Sequence, residues 1–228
     1  MGVNQAEEIK GFWDWFKQNE LKLYNTLMDY HSNRGKVNPQ QQSPFLQKLS
    51  VRLKRINTNL VYEFFLNQDD NHKFEFYISA GGVKSSFPSV IDTVRNAPDS
   101  SQFNFVPFKA PHKNLEQLKT MALGHGDSRL NFKDIYFKKQ EVFEDGMSLQ
   151  IFIKNYNGNM MENYEKIFYI LDKVIGEYDV ATLVKNIEIQ KLTSKTGLQP
   201  LFKLPIVMQN FKKEKNIPNI LDLVSLGE

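Results

Sequence analysis

Two stretches of this sequence carry apolar residues at every second position, and this period constrains the fold more than any other feature. In the first stretch the recurring residues fall on one face of each of two neighbouring strands: Leu60, Tyr62, Phe64 and Leu66, then Phe74, Phe76 and Ile78. In the second stretch, residues 133–140 and 147–154 are separated by the turn dipeptide Asp145-Gly146. The sequence therefore predicts two β-hairpins.

A helix and a further strand follow each predicted hairpin, so one element order occurs twice. The helix and strand lie at residues 86–97 and 103–108 after the first hairpin, and at residues 162–175 and 183–192 after the second. Two strand–strand–helix–strand (ββαβ) motifs predict an α+β fold in which a mixed or antiparallel sheet is covered by helices. They also suggest an internal duplication.

The 228 residues are predicted to form a single domain, since one core is sufficient at this length. Its parts are two N-terminal helices, the first ββαβ motif, a linker, the second ββαβ motif and a tail that docks on the body, at residues 1–58, 59–109, 110–130, 131–192 and 193–228.

The composition bounds the chemistry and the compartment. The chain has no cysteine, which excludes disulfides, thiolate metal sites and a cysteine nucleophile, and favours a reducing compartment. The first residues carry acids where a signal peptide needs bases, and no segment approaches the ~20 apolar residues of a membrane span. We therefore expect a cytoplasmic protein that has no membrane contact.

Sequence motifs for metal and cofactor binding are absent. No two of the four histidines share the short spacing that metal sites use. The sequence also lacks a phosphate-binding Walker loop, a dinucleotide fingerprint and a Gly-x-Ser-x-Gly elbow. We expect neither a metal nor a cofactor.

Four residues are candidates for a catalytic or ligand site. His125 is flanked by glycines, where a base on a mobile loop could reach a substrate. Glu177, Tyr178 and Asp179 directly follow a predicted helix end. A hydrolase that uses His125 with Glu177 or Asp179, in a groove between the two halves of the chain, is one functional hypothesis. Tyr178 is a separate candidate for binding.

Five residues are candidates for binding. Trp15 lies off the apolar stripe of the first helix, so it either packs on a neighbouring element or offers an exposed aromatic contact. Gly81 and Gly82 stand between a strand and a helix, where free backbone N–H groups could hold an anion. Arg52 and Arg55 lie on the outer side of the second helix.

The charges are segregated along the chain. Residues 30–62 hold six bases and no acid, whereas residues 141–179 hold eight acids and three lysines. Segregated charge favours the steering of a partner, so the leading hypothesis is a non-enzymatic binding protein with a protein partner. A net charge of +3 is too small to indicate nucleic-acid binding by itself, so we do not expect nucleic acid as that partner. Nucleic-acid binding through residues 48–55 and the tail lysines is the second alternative.

Three segments together resemble an uncharacterised bacterial family, a DUF695-like domain of unknown function. They are FWDWF at residues 12–16, ISAGGVKSSFPSV at residues 78–90 and IGEYDV at residues 175–180. The resemblance covers roughly residues 10–192. It implies a bacterial origin and supports the predicted fold, but it brings no activity and no catalytic residue.

Overall fold

The computed structural model describes residues 3–32, 43–67, 72–126, 129–154, 156 and 158–225. The chain forms two compact units. The first unit comprises Met1–Phe108 with Ile220–Glu228, and the second comprises Lys109–Asn219. Among the described helices, none combines the length and the apolar character needed to cross a bilayer.

The first unit contains the two N-terminal helices and the first ββαβ motif. Its elements are α1 (Val3–Ser32), α2 (Pro44–Ile56), β1 (Val61–Leu66), β2 (Phe74–Ser79), a 3₁₀ turn (Lys84–Ser86), α3 (Phe87–Arg95), β3 (Phe103–Pro107) and a C-terminal helix (Ile220–Ser225). The sheet order is β1-β2-β3, with β1 antiparallel and β3 parallel to β2.

An aromatic cluster holds α1 on this sheet. Phe76, at the centre of β2, is inaccessible to solvent, and its ring lies 5.8 Å from that of Phe16 and 4.5 Å from that of Phe64. Trp13 packs edge-on against Phe105 and donates its indole N–H to the carbonyl of Thr93. The aromatic residues of α1 therefore pack against alternate residues of β2 and β3.

The second unit contains the second ββαβ motif and most of the C-terminal segment. Its elements are α4 (Leu115–Lys119), β4 (Ala122–Leu123), β5 (Leu130–Asn131), a 3₁₀ turn (Phe132–Asp134), β6 (Ile135–Phe143), β7 (Gly146–Ile153), α5 (Met160–Ile175), α6 (Glu177–Leu183), β8 (Val184–Lys191), β9 (Gln199–Pro200), a 3₁₀ turn (Leu201–Lys203) and α7 (Leu204–Glu214).

The main sheet of this unit has the order β8-β7-β6-β9 and is also mixed. β6 pairs antiparallel with β7 and β9, and β8 runs parallel to β7. Alternate residues of the strands pack with apolar residues of α5 and α7 in one core, which includes Phe137, Leu149, Ile151, Ile170 and Met208.

The prediction of an α+β fold from two ββαβ motifs is confirmed. In each motif the hairpin is antiparallel, and the strand after the helix lies parallel to the second hairpin strand. The expectation of one shared sheet is corrected: the two motifs form separate mixed sheets, because no described strand of one motif pairs with a described strand of the other. That the two units act as a single domain stays a prediction.

The predicted linker and tail both contribute to folded structure. Residues 110–130 form α4 and the short β4–β5 pair, and Leu118 and Leu130 lie in the core of the second unit. The tail supplies Leu204 and Phe211 to the same core.

Both the backbone conformation and the close surroundings of residue 176 require glycine. Gly176 joins α5 to α6 with a φ of +87°. A Cβ atom at this position would lie 2.9 Å from Cδ of Pro111 and 3.3 Å from the carbonyl oxygen of Lys109. Side chains are therefore disfavoured both by the backbone conformation and by the close approach of the 109–111 segment.

We expect Gly176→Ala to lower the free energy of unfolding by about 3–5 kcal/mol, because backbone strain and overpacking add at this site. Gly158→Ala is the matched control. Gly158 also has a positive φ, of +78°, but a Cβ atom there would meet no atom within 4 Å, so a loss of about 1–2 kcal/mol is expected. Chemical denaturation measures both, and equal losses would contradict the packing argument.

Candidate functional site

The structure brings Trp15 and Arg52 together on the surface between α1 and α2. The Trp15 ring is half-buried and lies 5.4 Å from the ring of Phe45, between centroids. The Arg52 guanidinium lies over Trp15 at 5.1 Å from the ring centroid, and the Lys22 ammonium lies over Phe45 at 5.1 Å. Trp15 therefore packs on the neighbouring helix and holds one face towards an arginine, a favourable cation–π arrangement.

The amphipathic character of α2 decides which of its side chains reach solvent. Ser43 caps the helix by accepting the N–H of Leu46, and Pro44 occupies its first turn. One stripe is buried, namely Leu46, Leu49, Leu53 and Ile56. The four bases of α2 lie outside this stripe, with Arg52 half-buried and the other three exposed: Lys48, Lys54 and Arg55. We define the basic surface as these four bases together with Trp15 and Phe45. The helix α2 contains no acid to offset their charge.

A shallow groove of about 450 Å³ runs beside α2 where it meets β1. It is lined by Leu46, Gln47, Ser50, Val51, Lys54, Val61 and Tyr62. Val51 and Val61 are 56% and 41% exposed, so the groove offers apolar side chains to solvent. The Tyr62 hydroxyl donates to the carbonyl of Leu46 at 3.0 Å, which ties the strand to the helix. Burial raises the pKa of Tyr62 to about 12, so this donor stays protonated at neutral pH.

Gly81 and Gly82 form an exposed turn between β2 and the 3₁₀ turn that precedes α3. Their φ values are +56° and +80°, as a turn built from glycine allows. The N–H of Gly81 donates to the Ser79 hydroxyl, and the N–H of Val83 donates to the carbonyl of Ala80. The conformation of the turn accounts for the glycine pair, and anion binding there stays a prediction.

Glu177 is buried and fastens the segment at the start of the second unit. Its Oε2 accepts the backbone N–H of Lys109 at 3.0 Å, and its own N–H donates to the carbonyl of Lys109 at 2.9 Å. These two hydrogen bonds join Glu177 to the backbone of Lys109, much as a pair of hydrogen bonds joins two β-strands. This link gives Glu177 a structural role.

Asp179 joins α6 to α7. Both of its carboxylate oxygens accept from Nζ of Lys212, at 2.9 Å and 3.0 Å, and the two side chains are only 17% and 10% exposed. Burial raises the pKa of Asp179, while the hydrogen bond and charge of Lys212 act in the opposite direction. The pKa of the half-buried Tyr178 is also raised, by burial and by the charge of Asp179.

His125 is exposed on the connection between β4 and β5, with Gly124 and Gly126 on either side. Both glycines have positive φ, as a tight connection requires. The catalytic hypothesis for His125 with Glu177 or Asp179 stays a prediction, and internal contacts already explain the two carboxylates.

The four-stranded sheet also presents a polar face that the sequence candidates did not include. Because strand side chains alternate, Tyr136, Lys138, Gln150, Phe152, Glu188 and Gln190 point away from the core. We call this the outer face. Three glutamine amides donate to the Glu188 carboxylate, from Gln190 at 2.6 Å, Gln150 at 2.8 Å and Gln140 at 3.3 Å. These donors lower the pKa of Glu188, so its carboxylate is ionised at neutral pH.

Two aromatic rings lie next to this glutamine cluster. Tyr136 and Phe152 are directly opposite each other in the β6–β7 register, and Gln190 is the partner of Phe152 on β8. The Lys195 ammonium lies 4.8 Å from the centroid of Tyr136, and the Lys138 ammonium lies 5.8 Å from that of Phe152. Tyr136 and Phe152 are half-buried, whereas both lysines are exposed.

The sequence indicates the outer face through the strand residues that alternate with the core residues. In each of the three strands the residues between the core positions are polar or aromatic, which predicts a face that does not pack in the core. The meeting of Gln140, Gln150 and Gln190 at Glu188 could not be read from this pattern, because it depends on the register of strands that are distant in sequence.

Comparison with known proteins finds no match: no family model, no curated protein and no solved structure is significantly similar to this chain.

We expect Asp179→Ala to lower the free energy of unfolding by about 1–3 kcal/mol, because it leaves the largely buried ammonium of Lys212 without its carboxylate. Glu144→Ala is the matched control. Glu144 pairs with Lys215 at 2.9 Å but is 92% exposed, so its loss should cost less than about 0.5 kcal/mol. Denaturation curves measure both values. A loss for Asp179→Ala no larger than that of the control would contradict the structural role.

Proposed function

We propose that this chain is a cytosolic, non-enzymatic binding protein that recognises an acidic, amphipathic segment of a protein partner through the basic surface and its groove. The observation that supports this most strongly is the combination on one helix of four bases, no acid and an adjoining apolar groove. Acidic residues of the partner would meet the bases, and its apolar residues would enter the groove.

The charges favour fast and selective association. Lys48, Lys54 and Arg55 are exposed, so each can approach a carboxylate of the partner. Arg52 differs, because its guanidinium already lies on the Trp15 ring. An arginine held in place loses less side-chain entropy when it binds a carboxylate, and its planar fork can bind both oxygens.

The groove supplies the apolar part of the contact. Exposed valines beside a basic helix are a poor arrangement for a surface that only faces water, but they suit an interface with an apolar centre and a charged rim. Val51 and Val61 would form that centre, and Lys54 would lie at its edge.

We also propose that the chain belongs to the DUF695-like bacterial family. The support is the resemblance of its three segments, of which the first, FWDWF, contains Trp15. In this proposal Trp15, the second tryptophan of that segment, serves to position Arg52, as it does in the contact between α1 and α2.

A display library of random linear peptides tests the proposal directly. We expect the protein to enrich peptides in which acidic residues alternate with apolar ones. Lys54→Glu/Arg55→Glu should slow the association of a selected peptide at low salt by roughly 10-fold or more, because steering is lost. Val51→Asp should speed its dissociation, because the apolar contact is lost.

The matched control is Lys10→Glu/Lys17→Glu. Both lysines are exposed on α1, and helical geometry turns them away from Trp15, so binding should change little. A library that yields no acidic peptides would refute the proposal. Selected peptides that bind the α2 variants and the control variant equally well would also refute it.

A further inference from the structure

We propose that the outer face of the four-stranded sheet binds single-stranded nucleic acid, with Tyr136 and Phe152 each stacking on a base. This inference is independent of the proposed function, because it concerns different residues in the other unit. It rests on the register of β6 and β7, on the lysines above the two rings and on the glutamine cluster beside them.

Tyr136 and Phe152 lie side by side on adjacent strands. Tyr136 and Phe152 are cross-strand partners, and the Cβ atoms of such partners lie about 4.5–5.5 Å apart. Aromatic side chains on adjacent strands of a sheet can each stack on an unpaired base of a splayed single strand. The partner of Tyr136 on the other side is Pro200 of β9, so the platform extends to the edge of the sheet.

The lysines allow an exchange of contacts that favours binding. In the unbound protein the Lys138 and Lys195 ammonium groups lie over the rings that a base would cover. An exposed cation–π contact is worth less than the stacking of a base on an aromatic ring. Each ammonium can leave its ring for a phosphate of the same strand, so the base gains the ring and the lysine gains a stronger ionic partner.

Gln140, Gln190 and Glu188 supply groups that can contact base edges, whereas Gln150 is buried and helps to hold Glu188 in place. Each glutamine amide carries a donor and an acceptor, and Glu188 is an acceptor held by three of these amides. A carboxylate next to a stacked base accepts a hydrogen bond from the exocyclic amino group of cytosine, whereas uracil presents a carbonyl at the same position. The outer face should therefore prefer cytosine to uracil.

This proposal differs from the one suggested by sequence charge. The net charge of +3 is too small to indicate nucleic-acid binding by itself, and the alternative read from the sequence places such binding on residues 48–55 and the tail lysines. A stacking surface needs few cations, because base stacking supplies part of the affinity. Two lysines predict a shallow salt dependence, with a slope of about −1.4 in a plot of log K against log[salt].

Fluorescence anisotropy with labelled eight-nucleotide oligomers of cytidine and of uridine, at 50 mM salt and at higher salt, tests the proposal with the full chain. We expect the cytidine oligomer to bind more tightly. Tyr136→Ala and Phe152→Ala should each weaken its binding by roughly 5- to 100-fold. Glu188→Gln should reduce the preference for cytidine and leave the binding of the uridine oligomer nearly unchanged.

Tyr169→Ala is the matched control. Tyr169 is an exposed tyrosine on α5 of the same unit, and the Lys173 ammonium lies 5.4 Å from its ring centroid, so it reproduces the tyrosine–lysine contact away from the outer face. Its replacement should leave binding unchanged. Tyr136→Trp keeps a ring that can stack on a base, so this variant should retain the binding that Tyr136→Ala loses. Circular dichroism verifies that each variant is folded.

Two results would overturn the proposal. One is the absence of any anisotropy change with either oligomer at 50 mM salt. The other is binding that survives in the folded variant Tyr136→Ala/Phe152→Ala but is lost in Lys54→Glu/Arg55→Glu, because it would place the nucleic acid on α2.

Discussion

The burial of one leucine-rich stripe of α2 is the constraint on which the functional account depends. Four apolar residues fix the rotation of this helix against the first unit, and the bases of the helix are thereby directed away from the core. The same rotation brings Arg52 over Trp15 and leaves Val51 beside the groove. A rotation of α2 by one residue position would bury a base and remove both features, so the packing of the stripe determines the binding chemistry.

Strand alternation has the corresponding effect in the second unit. Apolar residues at every second position of β6, β7 and β8 pack with α5 and α7, and the residues between them form the outer face. The core pattern therefore also decides where aromatic and amide groups collect. In both units, the side chains proposed to bind are those that the core does not use.

Much of the fold could be predicted from the sequence because it depends on local periods. The two hairpins, the helices that follow them and the turn at Gly81-Gly82 are encoded in neighbouring residues. The roles of Glu177 and Asp179 could not be predicted in the same way. Their partners, Lys109 and Lys212, are remote in sequence, and only the tertiary fold shows that both carboxylates hold segments together.

The candidate site was partly predictable for the same reason. Trp15, Arg52 and Arg55 were identified from their positions outside the apolar stripes of their helices. The contact between Trp15 and Arg52 and the groove beside Val61 required the packing of α1, α2 and β1, which periodicity does not specify. Likewise, the glutamine cluster depends on the register of three strands.

A crystal structure of the protein with one selected acidic peptide tests the central claim most directly. We predict that the peptide lies along α2, with a carboxylate at Lys54 or Arg55 and an apolar side chain between Val51 and Val61. A peptide bound elsewhere on the protein, with the groove beside α2 unchanged, would contradict it.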